Sequence, residues 1–298
     1  MTATMLDTLR ARAHQISEVA VRLLEEFSGM HPRSTPNDPI VLISPAGDQS
    51  WDDLPPGGKQ IQARLLPEVD RFAELLQTLT QNLPIGAQQD MRGSLKAMRS
   101  AIEQNGPTWW KTSNEAVRGF RELIESIIKV LDDYSGGSSG AVLAIPDTNA
   151  LLGNPDIEHW QFEGDRSFTV ILTPTVLSEL DRHKVNHKNE QVRDKALTLV
   201  RKIKEYRRRG PLNVGATVVK DRISLRAVAA EPNMSKGLSW FDSTNADDRF
   251  LAAALEIMRE NLGAVVYIVT SDINMQNKAE MAGIPFRDVS SQPIEKGE

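Results

Sequence analysis

The chain has 298 residues and contains no cysteine, which excludes disulfide bonds, thiolate zinc sites and a cysteine nucleophile. No apolar run approaches the roughly 20 residues that a membrane-spanning helix requires. The first residues lack the basic and then apolar pattern of a signal peptide, and no glycine-rich loop for nucleotide phosphates is present. With 40% hydrophobic and 25% charged residues, the composition is typical of a globular protein, and we expect a cytoplasmic location without membrane contact.

Positive charge is in the minority overall, with 35 lysines and arginines against 40 acidic residues and a formal net charge of −5 at pH 7. It is concentrated in one stretch, the basic segment 182–209, where eleven lysines and arginines stand against three acidic residues. Such a concentration indicates a surface that binds a polyanion. The alternative is an ordinary solvated helix surface, since blocks of like charge often have no binding role.

The pattern of the chain changes near residue 135. Before this point, apolar residues recur at helical spacing in four stretches, which predicts an all-α, bundle-like domain of unknown role over residues 1–134. The Gly/Ser-rich stretch 135–140 is typical of a flexible linker. Apolar strands then alternate with helical patterns, which predicts an α/β domain with a mostly parallel sheet over residues 141–298. Strands are predicted at 142–145, 168–172, 217–219, 223–228, 264–269 and 286–289, and helices at 174–183, 190–209, 245–261 and 273–282.

Four acidic residues occupy the same kind of position in this α/β region. Each follows a predicted strand or lies near the start of the helix after it; they are Asp147, Glu179, Asp248 and Asp272, with Asp247 as the rival to Asp248. Because the carboxyl ends of parallel strands meet at one edge of the sheet, we expect these carboxylates to lie close together. Each alone has an ordinary explanation, as a turn residue, a solvated helix residue, a helix-dipole partner or an N-cap. Coincidence of all four is a much weaker explanation.

Carboxylates gathered at one edge repel each other unless cations neutralise them. Hard oxygen ligands suit Mg²⁺ or Mn²⁺, and such a site is suited to phosphodiester hydrolysis. His183 and His187 are four residues apart, a helical spacing that could also bind a metal. They lack a third ligand nearby in the sequence, so an exposed pair in a basic stretch is the simpler interpretation.

Four short motifs resemble, in order, those of PIN-domain nucleases: Asp147-Thr148-Asn149, Glu179-Leu180-Asp181, Asn245-Ala246-Asp247-Asp248-Arg249-Phe250-Leu251 and Thr270-Ser271-Asp272-Ile273-Asn274, the last followed by Lys278-Ala279. The resemblance covers about residues 141–290 and is closest to the larger PIN domains. It implies a three-layer α/β/α fold and a Mg²⁺- or Mn²⁺-dependent ribonuclease. It also implies catalytic roles for Asp147, Glu179, Asp248 and Asp272, metal binding by these four and Asp247, and polar support from Asn149, Thr270 and Ser271. Asp248 is preferred over Asp247 because it precedes the Leu-Ala-Ala-Ala run by the usual spacing.

Our leading hypothesis is therefore an endoribonuclease in which a metal-activated water attacks the phosphodiester. Within the basic segment, the residues expected to contact the RNA backbone are Arg182, Lys184, Lys188, Arg201, Lys202, Arg207, Arg208 and Arg209. Two alternatives stay open: a structure-specific DNA nuclease, and a catalytically silent PIN-like module that binds RNA or protein. Homo-oligomers, and a protein partner or inhibitor bound through the N-terminal helices, are also left open by the sequence.

Overall fold

The computed structural model describes residues 3–32, 49–134 and 140–288, so the predicted linker 135–140 lies outside the described residues except for Gly140. The chain divides into two compact units. One comprises residues 7–134, and the other comprises residues 135–298 together with residues 1–6. No helix in the described ranges is long and apolar enough to cross a bilayer.

The unit 7–134 is built mainly from long amphipathic helices, as their apolar spacing predicts. They are α1 (Met5–Glu26), which begins just before this unit, α2 (Pro56–Leu79), α3 (Ile85–Glu103) and α4 (Ser113–Tyr134). Their apolar faces are fully buried at positions such as Leu23, Phe72 and Phe120. Pro56 opens α2, where the N–H that proline lacks has no partner within the helix.

This unit also contains a small antiparallel sheet that the sequence did not predict. Its strands, in the order β1-β2-β3, are β1 (Met30–Pro32), β2 (Gln49–Trp51) and β3 (Pro107–Thr108). Strands of two or three residues are too short to show an alternating pattern, which explains why they were missed. Trp51 at the end of β2 packs edge-to-face against Trp110, with ring centroids 6.1 Å apart.

The other unit contains a six-stranded sheet with strands in the order β6-β7-β5-β4-β8-β9. Every neighbouring pair is parallel except β6 and β7, which form an antiparallel hairpin. The strands are β4 (Val142–Pro146), β5 (Phe168–Leu172), β6 (Ala216–Val219), β7 (Ile223–Ala227), β8 (Val265–Val269) and β9 (Phe286–Arg287). The helices are α5 (Thr148–Gly153), α6 (Pro174–Asn186), α7 (Glu190–Arg207), α8 (Ala246–Glu260) and α9 (Ile273–Ala282). The predicted fold class, a helical region followed by an α/β domain with a mostly parallel sheet, is confirmed.

Strand order places the candidate site at the middle of this sheet. β4 lies between β5 and β8, and every residue of β8 is buried, which matches its unbroken apolar sequence. From β4 the chain passes to β5 on one side and later crosses to β8 on the other. Such a switch in direction leaves a crevice at the carboxyl ends of the strands, where open α/β sheets bind their ligands. Asp147 is the first residue after β4.

Candidate active site

Asp147 joins the central strand to a short helix. Its N–H donates to the Val269 carbonyl at 3.0 Å, which extends the pairing of β4 with β8 by one residue. Its Oδ1 accepts the Ala150 N–H at 2.6 Å and so caps α5, a six-residue helix that the sequence did not predict. The residue is 5% exposed, and its Oδ2 is buried without a hydrogen-bond donor in the part of the chain that the structure describes.

The surroundings of Asp147 make its ionised form unfavourable in the absence of a cation. Burial raises the pKa of this carboxyl above its ordinary value, and the nearby carboxylates of Asp272 and Glu179 raise it further. The Thr270 hydroxyl and the Ala150 N–H act in the opposite direction, but the net pKa is raised. A bound cation would remove this penalty directly, because it would stabilise the charged carboxylate.

Glu179 reaches the same site from α6. Thr173 caps this helix and Pro174 is its first residue, so the chain turns into the helix as soon as β5 ends. Thr148 Oγ1 donates to Glu179 Oε2 at 2.6 Å, and this bond ties the first turn of α5 to α6. The guanidinium of Arg182 lies 3.9 Å from Glu179 Oε1.

Asp272 is the N-cap of α9, as one structural explanation of its sequence position predicts. Its Oδ1 accepts the N–H groups of Asn274 at 2.8 Å and Met275 at 3.4 Å, while its own N–H donates to Thr270 Oγ1 at 3.0 Å. Asn149 Nδ2 lies 3.5 Å from Asp272 Oδ2. Two of the predicted supporting residues, Asn149 and Thr270, therefore contact an acidic residue of the site.

Ser271, the third predicted supporting residue, has a different partner. Its hydroxyl donates to Asp288 Oδ1 at 2.5 Å, and the residue does not line the cavity described below. Its place in the motif next to Asp272 therefore does not bring its side chain into the site.

The two neighbouring aspartates of α8 have different surroundings. Asn245 caps this helix. Asp248 is 5% exposed; its Oδ1 lies 2.7 Å from Lys278 Nζ, and its Oδ2 accepts the Asp242 N–H at 2.9 Å. The side chain of Asp247 is 47% exposed and lies 3.4 Å from the same ammonium.

One cavity of about 180 Å³ collects most of these side chains. Four carboxylates line it, those of Asp147, Glu179, Asp247 and Asp272. The remaining lining residues are Thr148, Asn149, Thr175, Val176, His183, Ala246, Phe250 and Met275. Asp248 is not on the wall, so the cavity lining favours Asp247 over the Asp248 that the motif spacing favoured.

A comparison with protein-family models matches residues 144–290 to the PIN domain family. Residues 144–290 of this chain are a PIN domain. PIN domains form a family of metal-dependent nucleases, and they generally use divalent metals. A comparison with curated proteins found no match.

The PIN domain has the donor chemistry that a hard divalent cation requires. All four charged groups on the cavity wall are carboxylates, and the buried Oδ2 of Asp147 has no donor in the described ranges to satisfy it. In these ranges, however, no three acidic or histidine side chains converge closely enough to hold an ion as they stand. An ion held here would therefore need the carboxylates of the wall to lie closer together.

Sequence reasoning named three further residues but gave them no role in this site. Thr148 orients Glu179, His183 lines the cavity one turn after Glu179 on α6, and Lys278 pairs with the α8 aspartates. The four-residue spacing of Glu179 and His183 could have revealed His183. Lys278 follows the fourth motif, but no spacing rule could have predicted its contact with Asp248, because thirty residues separate the two.

His183, on the cavity wall, packs against His187. The two rings meet edge-to-face with centroids 5.0 Å apart. Burial lowers the pKa of His183, the neighbouring His187 and Arg182 lower it further, and Glu179 opposes them. The imidazole at the cavity wall is therefore biased toward its neutral form.

The basic segment is not uniformly available for binding nucleic acid. Lys202 Nζ contacts Asp156 at 2.6 Å and Glu158 at 3.1 Å. Lys184 pairs with Asp181, and Arg209 Nη1 donates to the Val218 carbonyl at 3.1 Å. The remaining five predicted contact residues are exposed: Arg182, Lys188, Arg201, Arg207 and Arg208.

Proposed function

We propose that this PIN domain is an endoribonuclease that hydrolyses RNA phosphodiesters and depends on Mg²⁺ or Mn²⁺. The observation that carries the proposal is the buried, unpartnered Oδ2 of Asp147 on a cavity wall with three further carboxylates. A buried carboxylate oxygen without a donor costs on the order of 1–3 kcal/mol or more, so it is unfavourable unless a ligand completes the site. A divalent cation is the ligand that an oxygen-rich, negatively charged cavity selects.

Asp147, Glu179 and Asp272 would hold the ion, and the contacts around them set their orientations. Thr148 fixes Glu179 by a hydrogen bond, and the first turn of α9 fixes Asp272 through its backbone N–H groups. When bound, the ion supplies a water of lowered pKa for in-line attack on phosphorus. The protein then needs no side-chain base at this position. Its acidic residues act by supplying negative charge and by fixing the position of the ion.

RNA would be held by the exposed cations of the basic segment. Arg207 and Arg208 are exposed at the end of α7, without an ion pair in the described part of the chain. Replacing both with Gln should weaken RNA binding and reduce the salt dependence of log Kd by about 0.7 for each lost phosphate contact on a single strand. Lys202→Gln is the matched control, because Lys202 is already bound to Asp156 and Glu158. If the salt dependence of log Kd is unchanged in the double variant, these arginines are ordinary surface residues that do not contact RNA phosphates.

One feature of the chain favours RNA over a structure-specific DNA substrate. The segment between β4 and β5 contains only α5, a short 3₁₀ turn at Ile157–His159 and irregular structure, without a long inserted arch. A catalytically silent module is disfavoured for a different reason. Such a protein gains nothing from a buried carboxylate whose ionisation its acidic neighbours oppose.

The deciding experiment is cleavage of end-labelled RNA and DNA of matched sequence, titrated with Mg²⁺ and with Mn²⁺. RNA should be cut internally in a metal-dependent manner, EDTA should stop the reaction, and Asp147→Asn should be inactive. Faster cleavage of branched or flapped DNA would replace RNA as the substrate. Tight RNA binding without cleavage at any metal concentration would indicate the silent module instead.

A further inference from the structure

Lys278 brings a positive charge to one side of the candidate site. It lies in the second turn of α9, the helix that Asp272 caps. Its ammonium is 2.7 Å from Asp248 Oδ1, 3.4 Å from Asp247 Oδ2 and 3.5 Å from Asn245 Oδ1. One lysine thus contacts three polar side chains around the start of α8.

These contacts leave Asp248 with no free oxygen. Its Oδ1 is held by Lys278 and its Oδ2 by the Asp242 N–H, and the side chain is only 7% exposed. A metal ion that bound Asp248 would have to compete with these two partners. A charged hydrogen bond contributes about 1.5–3 kcal/mol, so displacing them would be costly.

Among the described residues, the other carboxylates of the site have no comparable cation. There, Asp147 has an oxygen without a donor, Glu179 has Arg182 at 3.9 Å, and Asp272 is bound by N–H groups. The acidic residues therefore divide into the Asp147 group (Asp147, Glu179, Asp272) and the α8 pair (Asp247, Asp248). The α8 pair is neutralised in part by the chain itself.

We infer that Lys278 takes the place of a second metal ion and that this PIN domain binds one divalent ion, at the Asp147 group. The inference rests on the proposed function for the presence of a metal site, and adds the number of ions and the residue that sets it. Two-ion sites place their cations about 3.5–4 Å apart and need carboxylates to hold both. Here the ligands for a second ion are bound to an ammonium, whose charge would also repel that ion.

The test counts ions rather than measuring activity. Mn²⁺ is titrated into the full chain, purified free of metal, and binding is followed by calorimetry without RNA. We expect one ion per chain for the wild type and two for Lys278→Met, because the variant frees the α8 pair. A wild type that binds two ions, or a Lys278→Met variant that still binds one, would overturn the inference.

Lys202→Met is the matched control for this substitution. Lys202 also contacts two carboxylates, and its side chain is 23% exposed beside 27% for Lys278, but those two carboxylates, Asp156 and Glu158, do not belong to the site. It should leave the count at one. A rise to two in this control would show that any lost lysine creates a metal site, and would overturn the role of Lys278.

Lys278→Met leaves Asp248 without its ion-pair partner, so the variant needs a test of folding. If it is unfolded without metal, its refolding is followed as Mn²⁺ is added, since an ion that binds only the native state stabilises it. Recovery that depends on two ions supports the inference, and failure to recover at saturating Mn²⁺ overturns it. One bound ion in a wild type that does not cut RNA would refute the proposed function alone, whereas no bound ion would refute both.

Discussion

Asp147 and Asp248 are each 5% exposed, but their carboxylates have different partners. Asp147, just after β4, keeps one oxygen without a donor in the described part of the chain, and burial together with two nearby carboxylates raises its pKa. Asp248, in the first turn of α8, has both oxygens occupied and a lysine ammonium at 2.7 Å. Equal burial therefore accompanies an unsatisfied carboxylate oxygen at Asp147 and a complete ion pair at Asp248.

This difference shows why burial alone is a poor guide to a catalytic carboxylate. A buried charge that the protein has already paired contributes to the structure, and removing its partner is costly. A buried charge that the protein leaves unpaired lowers stability, and persists where a ligand completes it. The partners of an acidic residue, rather than its exposure, separate the two roles.

The largest expected effect is the loss of RNA cleavage in the Asp147→Asn variant. The substitution keeps the shape and the cap of α5 but removes the negative charge, so RNA cleavage should fall by at least about 100-fold. Initial rates in Mg²⁺ and in Mn²⁺ provide the measurement. Wild-type rates in this variant would remove Asp147 from the active site.

The same substitution at Asp248 should act mainly on stability. Asp248→Asn leaves Lys278 without its closest partner, so the free energy of unfolding should fall by about 1–3 kcal/mol, toward the lower end because the lysine is partly solvated. Urea unfolding without metal measures this change. A variant as stable as wild type would mean that the Asp248–Lys278 pair is structurally unimportant and that the contrast with Asp147 fails.

Thr148 tests whether the Asp147 group is held by hydrogen bonds instead of by cations. Thr148→Val removes the donor to Glu179 at nearly constant volume, and should lower Mn²⁺ affinity and cleavage by about 10-fold. Thr175→Val is the control, since the buried Thr175 hydroxyl has no hydrogen-bond partner in the described ranges. Equal losses in both variants would indicate general damage to the cavity.

The smallest effect concerns the pH dependence of stability. The pKa of Asp147 is raised in the folded state, so below its ordinary value of 3.8 both states carry the proton and the residue has no effect on stability. As the pH rises through 3.8 and then through the folded pKa, the unfolded state ionises first and the wild type loses stability. Asp147→Asn should therefore have a higher Tm than wild type at neutral pH in EDTA, and an equal Tm near pH 3. A lower Tm at neutral pH would show that the charge of Asp147 is already compensated.

Much of the fold could be predicted because its signals are local. α9 covers Ile273–Ala282 and β5 covers Phe168–Leu172, the bounds predicted from their apolar periods and flanking residues. The short elements were missed, since α5 and the three strands around Trp51 are too short to show a repeating apolar pattern. The basic segment was predicted as one surface, but charge counts cannot show that Lys202 is bound by Asp156 and Glu158.

The sequence by itself determined that acidic residues follow β4, precede α9 and open α8, because strand ends and helix starts are set by residues close in the chain. The tertiary structure decided which oxygens remain free. Asp247 and Asp248 are neighbours with the same chemistry, yet one lines the cavity and the other is bound behind it. That choice depends on where α9 places Lys278 relative to α8, and a contact across thirty residues follows from packing rather than from any local pattern.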